Sequence, residues 1–75
     1  MTHTERQVLW VAGYTEAGIE PGGFMKALIT AAFKADSGNY ENLRLGFPDV
    51  IAAMNAYKAG KLTAGITSAL HTQED

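Results

Sequence analysis

Apolar side chains return every three or four positions through most of this chain, and nowhere do they alternate with polar ones for long. That spacing gathers them on one side of an α-helix and predicts an all-α protein. In a first helix, over about residues 5–17, Val8, Val11, Ala12 and Thr15 fall on one side and Trp10, Tyr14 and Ala17 on another. Thr4 and Gln7 have the spacing of a capping box at its start, and Glu5 suits the positive end of the helix dipole. Gly18 is placed to end the helix in the left-handed conformation, with Ile19 folding back on Tyr14.

Pro21 opens a second helix, because its missing N–H would be unpaired at the first helical position anyway. Only Gly18-Ile19-Glu20 then separates the two helices, which predicts a tight αα-hairpin. Phe24, Leu28, Ala31, Ala32 and Ala35 form one apolar stripe on the second helix, and Met25, Ile29 and Phe33 form an adjoining one. A helix apolar over more than half its circumference is either central in a fold or faces a partner.

Asp36-Ser37-Gly38-Asn39 reads as a turn. A short third helix over about 39–46 carries Tyr40, Leu43 and Phe47 on one side. Gly46-Phe47-Pro48 breaks it, since a residue before proline avoids the helical region. A fourth helix over about 48–59 buries Val50, Ile51, Met54 and Tyr57, and ends on Lys58 and Gly60. Residues 63–75 read as a weakly structured tail or a short terminal helix, capped by Thr63 and burying Ile66 and Leu70. The whole, 1–75, is thus expected to be a single compact bundle of four to five short helices built on an αα-hairpin.

Seventy-five residues make one domain, and one this small buries only about 60% of the surface its unfolded form exposes. With no cysteine there is no disulfide to reinforce it, so a homodimer is the expected remedy. Val8 to Ala12 is too short an apolar run for a signal-peptide core, and no run approaches the length of a membrane span; a cytoplasmic protein is expected. A net charge of −2 opposes binding to phosphate backbones.

One stretch resembles a known group. Tyr14…Gly18-Ile19-Glu20-Pro21-Gly22-Gly23-Phe24, then Leu28, Asn39-Tyr40-Glu41-Asn42-Leu43 and Phe47-Pro48-Asp49-Val50-Ile51 are similar to small bacteriophage-encoded proteins. Those share a Tyr…Gly-Ile-x-Pro-Gly-Gly-Phe turn followed by a Glu-Asn…Val/Ile helix. The resemblance spans about residues 14–57 and implies a phage or prophage origin, a helical fold and residence in the host cytoplasm. It lends no catalytic residues.

The candidate chemistry is sparse. Gly22 and Gly23 in a first helical turn expose N–H groups that could hold an anion, though no nucleotide-loop pattern surrounds them. The competing reading is that these glycines let the first two helices approach while Phe24 enters the core. His3 and His71 lack partners at metal-ligand spacing, so no metal or other cofactor is expected. Ser37 and Ser68 are the only serines and cannot form a triad with two terminal histidines. Glu5, Glu16, Glu20, Asp36, Glu41 and Asp49 sit where capping explains them. Lys26 and Lys34 flank Thr30 on the polar side of the second helix. A helix-turn-helix reading would leave Arg44, beside Glu41, as the one strong base reader.

What remains is a non-catalytic interaction module that binds and modulates a host or phage protein, for instance a host defence component. Trp10, Tyr14, Met25, Ile29 and Phe33 are its candidate contact residues. The alternatives are an anion or small-ligand site at Gly22 and Gly23, and the nucleic-acid module.

Overall fold

The computed structural model describes residues 1–64 and 66. It contains four helices, α1 (His3–Val11), α2 (Gly23–Lys34), α3 (Ser37–Gly46) and α4 (Pro48–Lys58), and no strand among the described residues. The all-α bundle of short helices is therefore as expected. Leu70, His71 and the rest of the proposed terminal helix beyond Ile66 lie outside the described residues.

α1 begins and ends earlier than its periodicity suggests. Its capping box is Thr2 and Glu5, not Thr4 and Gln7: the Glu5 N–H donates to Thr2 Oγ1 at 3.0 Å and the Thr2 N–H donates to Glu5 Oε1 at 2.8 Å. Both pairs have the right spacing, but Glu5 adds a charge at the positive end of the helix dipole. The helix stops at Val11 because Gly13 adopts φ 110°. The Gly13 N–H donates to Trp10 O (3.1 Å) and the Tyr14 N–H to Leu9 O (3.0 Å), the paired bonds of a Schellman end. Gly60 ends α4 in the same way at φ 79°, with the Gly60 N–H on Tyr57 O and the Lys61 N–H on Ala56 O.

Gly18 has a different task. The segment 12–22 turns back and lies against α1: the Ile19 N–H donates to Arg6 O at 3.1 Å, and Arg6 Nη1 donates to Ala17 O at 3.1 Å. A Cβ on Gly18 would sit 2.5 Å from Trp10 N and 2.7 Å from Arg6 O. Only glycine permits two backbones this close. Beyond it Pro21 is buried in the returning segment, not placed in the first turn of α2, which Gly22 caps with no side-chain bond. The tight hairpin expected between the first two helices is thus replaced by an eleven-residue return, residues 12–22.

The return sets the directions of the helices. Thr2 and Glu5 lie beside Asp49 and Ala53 at one end, and Tyr14 meets Tyr57 at the other with 6.4 Å between ring centroids, so α1 and α4 run in the same sense. α2 shares that sense: Phe24 packs 6.0 Å from Phe47, and Phe33 5.6 Å from Tyr57. α3 runs against them. Asp36 caps it by accepting from the Asn39 N–H at 2.8 Å, and Tyr40 Oη donates to Asn55 Oδ1 at 2.8 Å across to α4. The helical hairpin of the fold is therefore α3–α4, closed by Phe47-Pro48.

α4 is the central helix. Val50, Ile51, Ala53 and Met54 are all buried and join Val8, Ile29 and Ala32 in one core. Leu62, just past the Gly60 turn, is buried too. No polar or charged side chain is buried among the described residues.

Replacing Gly18 by Ala should destabilise the fold by ~2 kcal/mol or more, the upper range of overpacking, because the obstruction is backbone. Gly46→Ala, where a Cβ meets nothing within 4 Å, should be neutral or stabilise by up to ~1 kcal/mol. Urea midpoints of the two variants check this; equal losses would refute the tight seat of Gly18.

Candidate functional site

The sequence leaves α2 either central or facing a partner, and α4 occupies the centre. α2 covers one side of the core with Ile29 and Ala32, flanked by the half-buried Met25 and Leu28. Its opposite side, Gly23, Ala27, Ala31 and Lys34, is exposed. The most apolar helix of the fold is thus only half used.

The residues singled out from the sequence separate. Ile29 is completely buried and belongs to the core, which removes it from any docking surface. Phe33 is 37% exposed and stands edge-on to Tyr57. Trp10 is half-buried: Lys26 Nζ lies 4.8 Å from its ring centroid and is held there by Glu20 Oε2 at 2.9 Å. A cation over an indole face is attractive, and Lys26 covers part of the ring. Tyr14 is half-buried against Tyr57, and Met25 is half-buried beside the core.

Phe24 does not enter the core. It is 68% exposed and rests on Phe47, itself 38% exposed. The close approach expected of Gly22 and Gly23 is made by Gly18; a Cβ on either of the former would meet nothing within 4 Å. Both are exposed at the start of α2.

Sequence reasoning missed Phe24 and Ala31 as surface residues, whereas Ala27 and Lys34 face solvent as their positions on the helix suggest. Three shallow depressions adjoin along α2, and Lys34 lines all of them. The first lies between Val11, Phe33 and Tyr57; the second runs along α2 past Ala27; the third lies between Ala31 and the α3 residues Asn39, Asn42 and Leu43. Thr30 offers little to a ligand here, since its hydroxyl donates to Lys26 O at 2.7 Å within the helix.

The acids lie elsewhere. Glu41 and Arg44 pair on the exposed face of α3, and the hydrogen bond from Arg44 holds the Glu41 carboxyl below its ordinary value and raises Arg44 in turn. That is a solvated i,i+3 pair. Among the described residues no three His, Asp or Glu side chains converge on a metal-sized site, and no helix is long and apolar enough to cross a membrane. No protein-family model, curated protein or solved structure matches the chain.

Truncation should separate core from surface on α2. Ile29→Ala should cost ~2–5 kcal/mol, as a fully buried aliphatic does. Phe24→Ala should cost under ~1 kcal/mol, because most of that ring already meets solvent. Denaturation midpoints with far-UV circular dichroism test the pair, and a reversed order would place Phe24 inside.

Proposed function

We propose that this chain is a non-catalytic interaction module that docks another protein on the outward face of α2. The observation that carries the reading is the exposure of Phe24, Ala27 and Ala31, which adjoin along one side of the most apolar helix, with Phe33 exposed on its other flank. Single exposed apolar residues are ordinary, whereas a contiguous patch along one helix marks a contact surface. Following the resemblance of residues 14–57, the partner is a protein of a bacterial host or of the phage itself, and modulation of a host defence component fits that setting.

The experiment is affinity capture from cells that carry the gene, comparing the natural chain with Ala27→Glu and with Glu16→Gln, an exposed control off α2. A charge at Ala27 leaves the core untouched and desolvates badly in an apolar contact. A partner retained by the control and lost with Ala27→Glu is the expected outcome. A partner held equally by all three moves the contact away from α2.

A further inference from the structure

Charge narrows the class of partner. α2 contains no acidic residue, and none of the six acids among the described residues lines the three adjoining depressions, although the chain is net negative. Among the described residues the only charged groups lining them are Lys26 and Lys34. Lys26 is engaged with Glu20; Lys34, at the junction of all three, has no acid within ion-pair distance among the described residues. An apolar surface with a cation where its depressions meet selects an occupant with carboxylates beside apolar side chains.

Shape narrows it further. There is no strand edge among the described residues, so an extended peptide could not be held by main-chain pairing. From Gly23 to Lys34 the face runs about 17 Å along a straight helix, the length of three helical turns. Ala27 and Ala31 stand one turn apart at its middle and let a second helix approach closely.

Resting on the reading of α2 as the docking face, we infer that the partner presents an amphipathic helix of about three turns, with an apolar stripe bordered by acidic residues, one of them meeting Lys34. A second copy of this chain laid α2 against α2 fits less well, because α2 has no acidic residue to meet Lys34.

The test uses two synthetic peptides of about 18 residues with the same Leu/Ala stripe, one bordered by glutamate and the other by lysine, titrated into the ¹⁵N-labelled full chain. Binding of the glutamate peptide alone is expected, with amide shifts confined to residues 23–35 and α3 residues 39–43. Lys34→Glu should weaken it at least about tenfold and admit the lysine peptide, while Lys34→Gln, which keeps the helix and removes the charge, should weaken it without admitting the other. Equal binding of both peptides, binding of neither, or shifts elsewhere overturn the inference. So do duplex DNA shifting the same amides, and sedimentation showing self-association through α2. If neither peptide binds while capture still depends on Ala27, the docking face stands and only the acidic helix is lost.

Discussion

The arrangement of this small domain depends on one backbone contact, the seat of Gly18 against α1. Because no side chain intervenes, the segment after α1 lies flat along it, tied by the Ile19 N–H on Arg6 O and by Arg6 on Ala17 O. The chain is thereby carried back toward the start of α1 before α2 begins. α1, α2 and α4 then share a direction, with α3 running between the last two.

That geometry decides which helix is enclosed. α4 receives α1, α2 and α3 on its sides and buries four residues, while α2 meets the core with Ile29 and Ala32 and leaves the rest to solvent. In a domain with so little interior, the apolar content of α2 exceeds what the core can absorb. Phe24 and Phe47 cover one another only in part, and Phe33 leans on Tyr57 at the other end. The result is an apolar flank punctuated by lysines.

The start and end of α4 are legible in the sequence because each has one dominant signal, whereas α3 begins at Ser37, inside the Asp36–Asn39 stretch read as a turn, because Asp36 caps it. Pro48 starts α4, Gly60 ends it, and Val50, Ile51 and Met54 repeat at helical spacing on its buried face. The first third of the chain is harder because its signals compete. Thr2/Glu5 and Thr4/Gln7 have equal spacing, and Gly13 and Gly18 both offer a helix end within an apolar repeat that continues to Ala17. Local pattern cannot tell a glycine needed for its φ angle from one needed for close approach, since the second requirement exists only once the segment has folded back. The misplacement of Phe24 follows directly. With α1 ended six residues early, α2 starts later and turns the seam between its two stripes inward, so Ile29 and Ala32 are buried while Phe24 and Phe33 lie at the exposed edges. Phe33 and the lysines of α2 were visible as candidates; that Lys26 pairs with Glu20 while no acid among the described residues meets Lys34 needed the three-dimensional neighbourhood.

The docking proposed for this face would need no cleft and no reactive group, only a complementary helix. The shared direction of α1 and α2 is the premise for the exposure of that face. Nuclear Overhauser contacts of the Phe33 ring report on it most directly. Contacts from Phe33 to Tyr57 and Val11, together with contacts from Phe24 to Phe47, are predicted. Contacts from Phe33 to Thr4 or Glu5, at the far end of α1, would mean that α1 and α2 form an antiparallel hairpin, and would contradict the fold described here.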